Sequence, residues 1–537
     1  MTEKGKDNSF LKGAAILGAA GILIKIIGAF FRIPLGNIIG DEGMGYYQSA
    51  YPIYLILVVA STAGFPTAIA KLVSERRAKG DLYGADRIFK VSFFILAGLG
   101  IFTSSILFFG ARYYSEAIKN PKAYYSIIAI APALLFVPLM SSFRGYFQGL
   151  RDMRPTAVSQ IIEQLVRVAV GLALAYVLLG RGLEISAAGA TFGAGAGALI
   201  SALAMAAIYF RHKAGTAIKR PENPEKINEI VKALLLIAVP ITIGASVLPV
   251  MNSIDVGIVL RRLQEIGYSE ASANGLYGQL AGMATPLMNL PQIVTAAIQI
   301  SLVPAVSHMI AKKDYGMLGE TVKSGARATL IIALPAAFGL VVLAEPIMRL
   351  LYPFKIESAV SASAILSVLG FGIIFLSMFQ TLTGILQGMG RPIVPVWNLA
   401  AGALLKIVLT YVLVGIPVLN VRGAAIGTVF GYALAATLNV LYIKRNLKMD
   451  LQVFKLSVKP LVSAAVMGAV AFWGHGALTP LLGGGVSTVA SISAGVFVYG
   501  WMLINTGAVT SKDFELVPKG KRIYEILNKM KIGKWHS

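Results

Sequence analysis

The chain has no cysteine, so it holds neither a disulfide framework nor a cysteine-based metal or redox centre. Its four histidines, His212, His308, His475 and His536, are scattered, and none stands in an H-E-x-x-H or similar ligating spacing. No G-x-x-x-x-G-K-[ST] run occurs, which argues against nucleotide hydrolysis by this chain. Charge is scarce as well. Asp, Glu, Lys and Arg make up 14% of the residues, against about a quarter in soluble domains. Acidic residues are the scarcest, 25 against 48 Lys and Arg, which leaves a net charge of +23.

Apolar sequence is what the chain has in excess. At 537 residues, 56% hydrophobic and mean hydropathy +0.73, it carries more than a globular core can use. A spanning helix takes about 20 mostly apolar residues, and fourteen such runs can be placed between positions 11 and 507. The expected fold class is therefore an all-α integral membrane protein of about fourteen transmembrane helices. In a membrane chain, Lys and Arg accumulate in cytoplasmic loops and meet anionic headgroups. The positive charge thus predicts contact with anionic membrane lipids and no nucleic-acid partner. The polar start MTEKGKDNSF lacks the layout of a cleavable signal, so the first run reads as a retained helix.

Loop charges orient the helices. Alternate loops carry Lys71, Arg76, Arg77, Lys79, Arg87 and Lys90, and later Lys312, Lys313, Lys323 and Arg327; the intervening ones carry little beyond Arg112, Lys119, Lys122, Arg349 and Lys355. In all, 24 basic residues fall on one side and 9 on the other, with the phase kept along the chain. A miscounted helix would invert the bias partway. By the positive-inside rule both termini are expected to be cytoplasmic, in a multi-pass membrane protein.

The sequence also resembles itself. Gly145-Tyr-Phe-Gln148-Gly149, followed by Arg154-Pro155, matches Gly384-Ile-Leu-Gln387-Gly388, followed by Arg391-Pro392, and Pro66 pairs with Pro304 at a similar offset of about 238. Six helices repeated as six more share one orientation, so the repeat is parallel. The expected organisation is an N-lobe at 1–209, a cytoplasmic connector at 210–230, a C-lobe at 231–443, two further helices at 444–510 and a basic cytoplasmic tail at 511–537. Two such lobes leave a cleft in which transporters of this build hold substrate and alternate its access.

Ionisable residues inside spans are costly and mark function by default. Lys25 and Arg32 lie two turns apart on the first helix, and Glu163 and Arg167 stand at ion-pair spacing on the fifth beside Gln160 and Gln164. Asp255 lies near the end of the seventh with Arg261 and Arg262 beyond it, and Lys406 lies inside the eleventh. Arg167 and Lys406 are 239 residues apart, the offset that relates Gln148 to Gln387. These are the candidate substrate-binding residues. Their balance is cationic, which suits phosphate or pyrophosphate and suits a cationic drug poorly. The bland alternative is a self-neutralised Glu163–Arg167 pair with Lys25 and Lys406 reaching to an interface.

The stretch Ser141-Ser-Phe-Arg-Gly-Tyr-Phe-Gln-Gly-Leu-Arg-Asp-Met-Arg-Pro155, running into Gln160-Ile-Ile-Glu-Gln-Leu-Val-Arg167, resembles the polysaccharide-transporter branch of the MOP flippase superfamily. More narrowly it is similar to the SpoVB/YtgP group, which includes lipid II flippases of the MurJ type. The resemblance covers essentially the whole chain. It implies a V-shaped fold of two six-helix lobes plus two C-terminal helices, with a central cationic cavity. The implied task is moving undecaprenyl-pyrophosphate-linked peptidoglycan precursor (lipid II) from the inner to the outer leaflet, as a monomer and without enzymatic chemistry. Lys25 and Arg32 look like the basic residues that line the cavity in MurJ proteins. Two departures stand out. The basic residues that MurJ proteins place in helices two and eight have no counterpart in 51–63 or 278–290, and where some bind sodium, Asn398 is a weak candidate ligand but Gly402 offers no carboxylate. No cofactor is expected; sodium, protons or the membrane potential are the candidate driving forces. The alternatives are a flippase or exporter of another polyprenyl-linked glycan, a MATE-like multidrug antiporter, for which carboxylates are few, and a non-transporting scaffold.

Overall fold

The computed structural model describes residues 3–213, 225–447 and 452–508; the basic tail at 511–537 and the middle of the connector lie outside them. The regular structure of the described residues is all helical. The chain forms two compact units, 1–278 and 279–537. The first contains α1 (Glu3–Thr62), α2 (Phe65–Ala78), α3 (Leu82–Ala117), α4 (Tyr124–Ile130), α5 (Ala133–Gly149), α6 (Arg154–Val177), α7 (Leu183–Lys213), α8 (Ile227–Glu265) and α9 (Glu270–Tyr277). The second contains α10 (Thr285–Asn289), α11 (Gln292–Ala311), α12 (Tyr315–Val342), α13 (Ala344–Leu351), α14 (Ile356–Gly388), α15 (Ile393–Val414), α16 (Arg422–Leu447), α17 (Val453–Leu482) and α18 (Gly484–Asn505).

Among the described residues, thirteen helical segments are long and apolar enough to cross a membrane. The first, Ile16–Ala78, has 63 residues, about three times what one crossing takes. It is interrupted at Gly40, whose φ of 67° belongs to the left-handed side that side chains disfavour. Counted as two crossings, it brings the total to the fourteen expected from hydropathy.

The internal repeat is written into the turns. Asp81 caps α3 by accepting from the backbone N–H of Gly84, and Asp314 caps α12 by accepting from that of Met317. Gly80 and Lys313, the residues just ahead, both have positive φ, as do Arg151 and Gly390. The caps recur at an offset of 233 and the second pair of turns at 239. Close approaches agree: a Cβ on Gly149 would meet Val73, and one on Gly388 would meet Val306. The pairing of Pro66 with Pro304 at 238 is therefore a coincidence of composition, because the helices that carry them repeat at 233.

The strongest helix pairs are α6 with α7 and α15 with α16. Each rests on glycines spaced by four: Gly189, Gly193 and Gly197 on α7, and Gly423, Gly427 and Gly431 on α16. A Cβ on Gly197 would lie 2.5 Å from the carbonyl oxygen of Glu163, and one on Gly431 would lie 2.8 Å from that of Gly402. Small residues let membrane helices touch backbone to backbone, which gives packing a strength that lipid cannot match.

The units part after Gly278 and not within the 210–230 connector, so α8, expected to open the C-lobe, packs with the first unit. Its Ile230, Leu234 and Ala238 are buried with Phe65, Ala68 and Ile88 of α2 and α3. Gly64 permits this, since a Cβ there would lie 2.1 Å from the carbonyl oxygen of Ala238. At the connector's edges, Lys213 pairs with Asp86 and Arg76 pairs with Glu225.

Candidate functional site

α6 begins at Arg154-Pro155, with proline in the first turn where its missing N–H costs no helical bond. Two turns on, Glu163 and Arg167 share a face, and Arg167 Nη2 donates to Glu163 Oε1 at 3.2 Å. The other carboxylate oxygen is also taken. Arg144 reaches it from α5, Nη2 to Oε2 at 3.0 Å, while Arg144 Nε donates to Ser159 Oγ at 2.9 Å. One carboxylate therefore bridges two guanidinium groups, and the triad keeps one unit of positive charge. The side chains retain only 14% (Arg144), 16% (Glu163) and 20% (Arg167) exposure. Arg167 Nε is buried and has no hydrogen-bond partner. A buried donor left unmade costs about 1–3 kcal/mol.

The triad has an aromatic wall. α1 carries Tyr47, Tyr51 and Tyr54 on successive turns, with Tyr47 and Tyr51 hydroxyls 2.7 Å apart and their rings 4.8 Å between centroids. All three lie within electrostatic reach of Arg167, and Arg32, half-buried on the same helix, lies within reach of Tyr47 and Tyr277. Gln164 is buried, its Nε2 3.3 Å from where a Cβ on Gly28 would stand, so a glycine of α1 makes room for this amide. The first unit thus brings together four of the residues singled out from sequence, namely Arg32, Glu163, Gln164 and Arg167.

The remaining candidates are distributed more widely. Gln160 is half-buried one turn before Gln164, and Lys25 is exposed on α1. Asp255 is half-buried on α8 within reach of the buried Tyr277. Arg261 is exposed near the end of α8, and Arg262 pairs with Glu265 on the same helix. Lys406 is half-buried on α15 in the second unit, with Gly431 of α16 against its Cβ.

Arg144 is the residue that sequence reasoning passed over. In the sequence it is a charge within the apolar run 124–147, inside the stretch that carries the family resemblance. Its counterpart at the 239 offset is Thr383, and that of Glu163 is Gly402, so only the base at 167 and 406 is common to both halves.

The weak ligand candidate Asn398 donates from Nδ2 to Asn439 Oδ1 at 2.8 Å, and the Nδ2 of Asn439 is buried without a partner. A Cβ at Gly402 would lie 2.3 Å from the carbonyl oxygen of Gly431. A carboxylate at that position has no room without backbone movement. Among the described residues no group of three His, Cys, Asp or Glu could hold a metal ion. Two amides without a carboxylate are a poor donor set for a resident cation.

Membrane-spanning helices with an internal repeat, and an ionic cluster inside the first unit, define the class as a MOP-type membrane transporter. The family model described as "Polysaccharide biosynthesis protein" matches residues 10–310, and that described as "MatE" matches residues 280–412. The chain belongs to the polysaccharide biosynthesis protein family, the polysaccharide-transporter branch of the MOP flippase superfamily. It is 29% identical to "Stage V sporulation protein B" of Bacillus subtilis (strain 168), over 83% of this chain and 85% of that protein. It is 27% identical to "Lipid II flippase MurJ" of the same organism, over 86% and 88%. The solved structure "Lipid II flippase MurJ, inward closed conformation" superposes with a TM-score of 0.68 over 91% of this chain and 98% of that one, at 16% identity, which shows a common fold.

Proposed function

We propose that the chain is a lipid II flippase. It moves the undecaprenyl-pyrophosphate-linked peptidoglycan precursor from the inner to the outer leaflet by alternating access, without enzymatic chemistry. The observation that carries this reading is the Arg144–Glu163–Arg167 triad with its buried, unpartnered Arg167 Nε. Glu163 holds both guanidinium groups in place but neutralises only one of them. The remaining positive charge meets a pyrophosphate oxygen with a charge-assisted hydrogen bond, about twice as strong as a neutral one. Arg32 adds positive charge, and Tyr47, Tyr51 and Tyr54 offer hydroxyls and apolar ring faces. The lipid tail remains in the bilayer. Both termini are cytoplasmic in this reading, and transport draws on the membrane potential, because the Asn398 region offers a cation few ligands.

A second reading is a flippase for another polyprenyl-linked glycan, favoured by 29% identity to a sporulation protein beside 27% to a lipid II flippase. The test is complementation of bacterial cells depleted of their own lipid II flippase. Restored growth and surface-exposed lipid II support the proposal. Stable insertion with neither result transfers it to the other glycan. Alanine at Arg32, Arg167 and Lys406, one at a time, abolishes transport with insertion intact; full activity in all three variants returns these residues to a structural role.

A further inference from the structure

The second unit lacks the ionic triad and carries a different polar feature in its apolar helices. α11 presents Gln292, Thr295 and Gln299, and α14 presents Gln380, Thr383 and Gln387. Both follow the spacing Gln-x2-Thr-x3-Gln, which lines one face of a helix over two turns, about 10 Å. The two faces meet. Thr295 Oγ1 donates to Gln380 Oε1 at 2.7 Å, Gln380 Nε2 lies 3.4 Å from Gln292 Oε1, and Gln292 Nε2 donates to Asn289 Oδ1 at 2.7 Å. One turn along, the Cγ of Gln299 lies 2.9 Å from where a Cβ on Gly384 would stand.

A single polar pair between membrane helices is ordinary glue. This seam has more than glue requires. Thr295 is fully buried, yet Asn289, Gln292, Gln299 and Gln380 are each only half-buried and Gln387 is exposed. Amide edges left against hydrocarbon are costly, so their open sides call for water or a polar ligand. Each amide offers both donors and an acceptor and carries no charge, which is the chemistry that sugar hydroxyl and acetamido groups meet.

We propose that the seam of Asn289, Gln292, Gln299 and Gln380 is a glycan-binding site, taking the neutral sugar of the substrate. The assignment rests on the flippase reading.

The experiment compares binding of two probes to the purified full chain: lipid II, and undecaprenyl pyrophosphate without sugar. The double variant Gln292→Leu/Gln380→Leu is expected to weaken lipid II binding at least tenfold and to leave the sugar-free lipid within twofold. Arg144→Gln/Arg167→Gln weakens both. Equal loss of both probes in the leucine variant, or loss of neither, overturns the proposal. Gln292→Asn/Gln380→Asn, which keeps polarity and shortens reach, is the folding-safe partner. It is expected to reproduce the selective loss more mildly, and unchanged lipid II binding in it overturns the proposal even where the leucine variant does not fold. If the unaltered chain binds the sugar-free lipid but not lipid II, the glycan site fails and the pyrophosphate site stands. Binding of neither probe removes the flippase reading and this inference with it.

Discussion

Arg144 crosses from α5 to hold the carboxylate of Glu163 on α6 at 3.0 Å, the same carboxylate that Arg167 holds from one turn further along. The geometry makes Glu163 a hinge of charge between two helices. Arg144→Gln and Glu163→Gln are therefore expected to be non-additive, coupled by about 1–3 kcal/mol, as for residues in one ion-pair network. A double-mutant cycle on chemical unfolding in detergent reads this value. Additivity within about 0.5 kcal/mol would mean that the pair contributes little to folding.

The glycine seams give a sharper contrast. Gly197→Ala and Gly431→Ala place a methyl within 3 Å of a facing backbone oxygen, whereas a Cβ on Gly98 of α3 meets nothing within 4 Å. Overpacking of this kind costs about 1–3 kcal/mol. Both seam variants should melt lower than the parent in a detergent thermal scan, and Gly98→Ala should not.

Asp86 is a buried carboxylate that accepts from the Tyr209 hydroxyl at 2.7 Å and from Lys213 Nζ at 2.9 Å, with Lys90 Nζ also at 2.9 Å. Asp86→Ala strands the buried Tyr209 hydroxyl and removes the ion pairs of Lys213 and Lys90, and should cost about 1–3 kcal/mol. Asp86→Asn, which keeps an acceptor, should cost less. Unfolding midpoints of the two variants separate the roles of charge and hydrogen bond.

For energy coupling, replacing sodium by choline is expected to leave flipping in proteoliposomes unchanged, and collapsing the membrane potential is expected to stop it. A sodium requirement would show that ligands other than Asn398 assemble during transport.

Much of this was legible in the sequence for simple physical reasons. Hydropathy and loop charge respond to the bilayer residue by residue, so span number and helix class follow without tertiary information. The Glu163–Arg167 pair could be read because one helical turn fixes it. Arg144 could not be assigned to it, since its partner lies on another helix and only packing brings α5 to α6. The site of α8 was hidden for the same reason: Gly64 looks like any glycine until the carbonyl of Ala238 is seen against it. The amide seam shows both sides of this. Its spacing is present in the letters, but only the hydrogen bond from Thr295 to Gln380 shows that the two faces meet.

Because α6 rests on α7, and α15 on α16, through backbone contacts at glycine, neither polar helix can slide or roll without its partner. Each pair behaves as a stiff beam, with Glu163 and Arg167 mounted on one and Lys406 on the other. Motion during transport must then be taken up elsewhere, at places such as the Gly40 break, while the beams travel unbent. Charge on these beams is accordingly altered by exchanging Arg167 of α6 or Lys406 of α15, without redesigning the helix pairs that carry them.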